Sequence, residues 1–441
     1  TLAAFASVSG GASVGQYGPI VHFGATVGII TSKLQLRKRL GFNRLPREIY
    51  LACGVAAAIS AGFNAPIAGI IFAHEAILRH FSVRAIAPIT VSSIAASSVG
   101  GYLFPHTATF KIDAAAPALA EVVPFLVILS PIFAITAIAF MVSIRYSTKL
   151  ATSLSVNPTL LPFIGATACG LVGLFVPQAL GLGVSNINDM IAGEYLVPLL
   201  ISVLIAKIFM TSACIGFGVF GGVFSPALFI GVAAGALATK LLVAIGFNDI
   251  ASVITVAAMA AVSASVIGAP LSAVLIVLEL SQSYEYAVAA MIAVMVCSLI
   301  THRLFGHSFF DRQLLDRGVD LIKGREAIAL EDQVLEPYAS QDHIRVRKSD
   351  TGNSAREHME RRQHTEAYVV DEGGILLGKL NIYQAISCGD DVVKNHMDKN
   401  PTLLYSDDSL KQAMIKVSDF VGESLPVVHK KSTQMAGTIA E

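Results

Sequence analysis

Eight stretches of this chain, 1–32, 50–73, 85–110, 122–144, 150–188, 208–239, 250–278 and 286–302, contain no Asp, Glu, Lys or Arg. A helix needs about 20 apolar residues to cross the hydrocarbon core of a bilayer, so stretches of this length and number prescribe a multi-pass membrane protein. Several are too long for one crossing and hold internal Gly or Pro. About a dozen tilted, partial or re-entrant helices are therefore expected, the irregular backbone being shielded by protein or by a water-filled cavity. Composition marks where this regime ends. Residues 1–310 carry 14 Lys/Arg and 9 Asp/Glu, whereas the 131 residues that follow carry 17 and 22. The chain changes solvent near Phe310. Its net charge is zero, so no polybasic surface for nucleic acid is implied.

Within the apolar part, two motifs occur twice in the same order. Gly15-Gln16-Tyr17-Gly18-Pro19 returns as Gly222-Val223-Phe224-Ser225-Pro226, each followed by a glycine five residues past the proline. Ala65-Pro66 through Glu75 returns as Ala269-Pro270 through Glu279, with nine residues from Pro to Glu in both copies. The prolines are 47 residues apart in the first copy (Pro19 to Pro66) and 44 in the second (Pro226 to Pro270), so the membrane unit is duplicated. Proline fits the first turn of a helix, and each motif reads as a helix start placed inside the membrane. The first amides of a helix lack internal partners and carry partial positive charge, which makes such a start a site for an anion. Duplicated units with Gly/Pro-interrupted helices are the pattern of transporters that bind ions where the halves meet. This reading requires Tyr17 and Phe224 to lie close together, with neighbouring amides turned toward a shared space.

Lys33, Arg37, Lys38, Arg39, Arg44 and Arg47, and then Arg79 and Arg84, place two loops on the cytoplasmic side. Thr1 lies inside an apolar run with no initiator Met or signal-peptide pattern, so the chain reads as an N-terminally truncated piece. Cys53, Cys169, Cys214, Cys297 and Cys388 have no metal-ligand spacing and read as small packed residues. Lys207, alone in an apolar stretch, either raises the potential of an anion path or extends its amine to the membrane interface. His22 and His74 read as packed helix residues. His74-Glu75 lacks the second His of a zinc-protease helix. Gly216-Phe217-Gly218-Val219-Phe220-Gly221 fits a dinucleotide fingerprint only literally, with no acidic residue at the expected distance.

After a charged linker at 312–331, short strands alternate with amphipathic helices at about 354–363 and 408–417. Ser406-Asp407-Asp408 is the expected cap of the second helix. The paired pattern resembles tandem CBS domains, 332–387 and 388–441, the second cut off in its final strand. That resemblance implies a regulatory module and, with it, adenine nucleotide as a ligand. The usual acidic ribose-binding residue is not evident where Gly378-Lys379-Leu380-Asn381 continues to Gln384, so a tail that only folds or dimerises stays open. No other cofactor and no metal are expected.

Taken in order, the membrane motifs resemble the CLC family of chloride channels and anion/proton exchangers over residues 1–311. The fold class implied is mainly α, a polytopic membrane protein with duplicated, inverted repeats of broken helices and an α/β CBS pair. The family's first anion motif, Gly-Ser-Gly-Ile-Pro, would precede Thr1. The resemblance also implies a homodimer in the cell membrane with one anion path per subunit, Glu75 and Glu279 lying near the subunit contact. Anion donors would be the amides of Val223 and Phe224 and of Gly18 and Ile20. Tyr17 stands where the family has its gating glutamate, and it serves either as an occluding gate or as filler. Ala76 stands where exchangers carry an inner proton glutamate, and Phe310 where the family has a tyrosine that donates to the anion. A tyrosine near neutral pH does not act as a carboxylate that takes up a proton.

Glu75 and Glu279 read as structural carboxylates. The function expected is passive transport of chloride or a similar small anion. The alternatives are an anion/proton exchanger with an unrecognised proton route, Glu75 its first candidate, and a transport-inactive anchor for the CBS pair.

Overall fold

In the computed structural model, which describes residues 1–33, 45–103, 110, 117–247, 249–316, 333–430 and 432–440, the motif repeat is carried by a repeat of helices. After α1 (Leu2–Ser9), the first half runs α2 (Tyr17–Lys33), α3 (Arg47–Phe63), α4 (Pro66–Phe72, continued by a π-helical turn Ala73–Leu78) and α5 (Val83–Leu103). The connecting helices α6 (Leu119–Ser153), α7 (Leu161–Gly173), α8 (Val184–Ile191) and α9 (Val197–Gly216) lead to the second half. That half is α10 (Phe224–Ala244), α11 (Ala251–Ile267), α12 (Pro270–Ser281) and α13 (Tyr284–Phe305), followed by α14 (Phe309–Leu315).

Helices α2 to α5 match α10 to α13 in order, and the match extends to how they end. α3 stops at Asn64 with φ 54° and α11 at Gly268 with φ 79°. In both cases the left-handed residue turns the chain into an Ala-Pro step whose proline opens the next short helix. The short helices stop alike, at Arg79 with φ 57° and Gln282 with φ 52°.

Glycines set the spacing of the first two helices in each half. A β-carbon on Gly24 of α2 would fall 2.2 Å from the Gly54 carbonyl oxygen of α3, and one on Gly231 of α10 would fall 2.7 Å from that of Ala258 on α11. Lipid offers no hydrophobic drive for helix association, so close backbone contact through small residues supplies it. Helix α11 is apolar on every side, and all its residues from Val253 to Ile267 are buried, which makes it the central post of the unit.

Among the described residues, five helical segments are long and apolar enough to cross a membrane: Val83–Leu103, Leu119–Ser153, Val197–Gly216, Phe224–Ala244 and Tyr284–Leu315. With 35 residues, α6 is about 50 Å long, more than the hydrocarbon thickness, so it tilts or carries its polar end, with Arg145 and Lys149, beyond the apolar layer. The basic residues Arg37, Lys38, Arg39 and Arg44 lie outside the described residues, as does most of the 312–331 linker.

The chain divides into two compact units, Thr1–Gln313 and Leu314–Glu441. The second is a pair of α/β halves. One comprises β1 (Arg345–Arg347), α15 (Gly352–Arg362), β2 (Glu366–Val370), β3 (Leu376–Asn381) and α16 (Ile382–Cys388); the other β4 (Leu404–Tyr405), α17 (Leu410–Ser418), β5 (Ser424–Val428) and β6 (Met435–Ala440). Each sheet joins a parallel pair to an antiparallel one, with an irregularity at the same place, Val369/Val370 and Val427/Val428. This is the α/β organisation that the CBS resemblance implies.

The cap of α17 differs from expectation. Because the helix starts at Leu410, Ser409 faces the Gln412 amide and accepts from it at 3.3 Å, while Asp408 accepts from the Tyr405 amide at 3.1 Å. Asn381 and Gln384, at the place of the acidic residue usual in CBS domains, form a reciprocal capping box at the start of α16.

Candidate anion site

Gly15 and Gly222 hold each other. Each amide donates to the other's carbonyl at 2.7 Å, a two-bond bridge that sets the starts of α2 and α10 side by side. Only glycine permits it, since a β-carbon on Gly15 would lie 2.9 Å from the Gly222 oxygen. Past the bridge, the amides of Gln16, Tyr17 and Gly18 on one strand and of Val223, Phe224 and Ser225 on the other donate to no described residue. The first helical bonds come later, from Ile20 to the Gln16 carbonyl at 3.1 Å and from Ala227 to the Val223 carbonyl at 3.0 Å. Ile20, expected among the anion donors, thus has its amide engaged, and Gln16 and Tyr17 stand free beside Gly18. Pro19 and Pro226 have no N–H to satisfy. Two sets of unpartnered amides, at the positive ends of two long helices, are what an anion stripped of water needs.

An aromatic cluster stands beside these amides. Tyr17 stacks on Phe63 with ring centroids 3.8 Å apart, and Phe224 meets both edge-on, at 5.5 Å from Tyr17 and 5.2 Å from Phe63. All three are buried. Tyr17 and Phe224 occupy the same place in their repeats, and Phe63, the last residue of α3, is the third ring of the cluster and touches both. Its part in the cluster was missed because the sequence presented it only as a neighbour of Asn64-Ala65-Pro66. Phe310 is 40% exposed, whereas the adjacent Phe309 packs against the buried core of the membrane unit. Ala76 is half-buried and packs on the same core.

The two intramembrane carboxylates trade helices. Glu75 accepts from the Leu271 amide at 2.9 Å, the Ser272 amide at 2.8 Å and the Ser272 hydroxyl at 2.6 Å, which closes the start of α12. Glu279 accepts from the Ile67 amide at 2.8 Å and the Ala68 amide at 2.7 Å, which closes the start of α4. Each carboxylate near the end of one short helix reaches the beginning of the other, so the two helices run antiparallel. Equivalent helices of two repeats in that relation are the arrangement of an inverted repeat. Carboxylates at helix starts also complement the dipole.

Lys207 does not reach an interface. It is fully buried on α9, donates to the carbonyls of Ala179 at 3.0 Å and Gly181 at 2.7 Å, and has its ammonium 4.7 Å from the Phe229 ring centroid. It fastens the loop after α7 to α9. His74 is buried, as expected of a packed residue, and its Nδ1 lies 3.3 Å from the His80 carbonyl oxygen.

In the C-terminal unit, polar groups tie the two α/β halves together. Lys379 pairs with Glu366 at 2.6 Å and donates to the Ser424 carbonyl at 2.9 Å. His364 bonds Glu423, whose other oxygen accepts from the Thr365 amide and hydroxyl. The bond to Glu423 raises the His364 pKa above the usual histidine value, against the opposing effect of burial. Burial pushes the Glu423 carboxyl up, but the bonds from His364 and Thr365 outweigh it and the net shift is downward.

An inverted repeat that offers unfilled amides from paired helix starts is the architecture of a membrane transporter for a small anion. The profile of the voltage-gated chloride channel family matches residues 1–302, and the chain belongs to that family of anion transporters. It is 29% identical over 338 residues to the H(+)/Cl(−) exchange transporter ClcA of Vibrio parahaemolyticus serotype O3:K6, spanning 74% of this chain and 71% of that protein. It is also 29% identical over 324 residues to ClcA of Vibrio cholerae (strain ATCC 39541 / Classical Ogawa 395 / O395), spanning 70% and 67%. The fold is similar to that of a slow cyanobacterial Cl−/H+ antiporter, with a TM-score of 0.62 at 21% identity over 71% of this chain and 73% of that one. It is likewise similar to a eukaryotic CLC transporter, with a TM-score of 0.60 at 21% identity over 98% and 76%. The protein is a multi-pass integral membrane protein with a cytoplasmic C-terminal unit.

Proposed function

We propose that this protein conducts chloride or a similar small anion passively, with no obligatory proton movement, along a path past the free amides of the α2 and α10 starts. The observation that carries this reading is the pairing of those starts through Gly15 and Gly222, with Tyr17 in place of an ionisable carboxylate beside them. Tyr17, stacked on Phe63, acts as a gate that narrows the outer path. Val223, Phe224 and Gly18 supply amides, and Phe310 presents an aromatic ring without a hydroxyl. Ala76 offers no proton to an inner route. Glu75 is held by three donors, a use that favours a structural role over proton carriage. The active protein is a homodimer with one path in each subunit.

The second reading, coupled exchange, is favoured by relatives that bear the name of H(+)/Cl(−) exchangers. Proteoliposomes holding a chloride gradient separate the two. Passive conduction predicts chloride efflux with no proton uptake beyond what the membrane voltage drives. A fixed chloride-to-proton ratio, persisting when the voltage is clamped by valinomycin and potassium, rejects the passive reading.

A further inference from the structure

We infer that the Ser225 hydroxyl is a side-chain donor to the transported anion and favours small, strongly hydrogen-bonding anions over large, weakly hydrated ones. The inference rests on the anion path proposed above and assigns to it a group that backbone amides alone do not supply. Ser225 is the second residue of α10 and 6% exposed, and its Oγ is shielded from solvent without a hydrogen-bond partner.

Ser212, Ser298 and Thr301 share this lack of a partner, but they lie inside α9 and α13 and not at a helix start, and several other buried hydroxyls of the membrane unit are satisfied within their own helix. Those of Ser130, Ser263 and Ser281 donate to the carbonyl four residues earlier, at 2.6, 2.8 and 2.7 Å. Ser225 has no preceding helical turn to receive its proton, because α10 begins one residue before it. The Gly222 carbonyl, three residues back, already accepts from Gly15 at 2.7 Å.

The Cα–Cβ bond of a helical residue leans toward the helix N-terminus, so this side chain is directed to the end where the amides of Val223, Phe224 and Ser225 itself are free. The start of α2 stands alongside: a β-carbon on Gly15 would lie 3.0 Å from the Ser225 nitrogen. A buried polar group with no partner calls for an explanation, and an anion at the helix start satisfies the hydroxyl and the amides together. Hydroxyl donation is worth most to an anion of high charge density, so chloride gains more from it than iodide or thiocyanate.

The test compares the full-length wild type with Ser225→Ala in proteoliposomes, measuring efflux of chloride, iodide and thiocyanate, and measures chloride binding to the purified protein by calorimetry. Loss of a charge-assisted bond should weaken chloride binding by about tenfold and raise the iodide-to-chloride and thiocyanate-to-chloride efflux ratios several-fold. A uniform fall for all three anions is what a merely structural serine would give, and it overturns the inference, as does an unchanged ratio. Absence of anion flux from the wild type would instead overturn the transport reading beneath it.

Discussion

Tyr17 carries the sharpest consequence of a single side chain. Its ring is buried, stacked on Phe63 and edge-on to Phe224, beside the free amides of both helix starts. Tyr17→Ala removes the ring and leaves the backbone donors in place, so anion efflux from proteoliposomes is expected to rise several-fold; an unchanged rate would reduce the ring to filler. The positions of Tyr17 and Phe224 were readable in sequence, because proline fixes where a helix can begin and the same glycine spacing precedes it twice. The surroundings of Lys207 were not. Its partners are two backbone carbonyls, at Ala179 and Gly181, and a carbonyl leaves no mark on the residue type that bears it. Ile20 was misjudged for a related reason: whether an amide is free depends on where the first helical turn closes, which side chains do not announce.

Among the elements, α4 and α12 depend on each other. Each is short and begins with a proline, and the amides after that proline are satisfied by the carboxylate of the other. Glu75→Ala would leave two amides and a hydroxyl of α12 without an acceptor, a cost of about 3 kcal/mol, and Glu279→Ala should act similarly on α4. Both variants should unfold in detergent at clearly lower temperature than the wild type. Melting of Glu75→Ala at the wild-type temperature would show that water replaces the carboxylate without loss. The nine-residue spacing from Pro to Glu made the repetition legible. The exchange of partners was not, since it exists only once two helices some two hundred residues apart are laid side by side in opposite directions.

At the scale of the whole molecule, two units answer to two solvents. The cytoplasmic pair of α/β halves is joined by the His364–Glu423 bond, and its stability should depend on pH in a bounded way. His364, with its pKa raised on folding, contributes fully below the ordinary histidine value near 6.5, and that contribution is lost as pH rises through the folded value. Glu423, with its pKa lowered, contributes above the ordinary value near 4.5, and loses it as pH falls through the folded value. The bond is therefore strongest between about pH 5 and 6.5. In calorimetry of the full-length protein, the transition of this unit should lie higher at pH 6 than at pH 8, with His364→Asn flattening the difference; an equal slope in the variant would place the titrating group elsewhere. The crossed carboxylates bear on how the membrane unit is made. As the chain leaves the ribosome, Glu75 and the opening of α4 enter the bilayer before the segment at 270–279 has been synthesised. The earlier half must wait, with an acid lacking its counterpart and a helix lacking its stopper, until translation delivers both together.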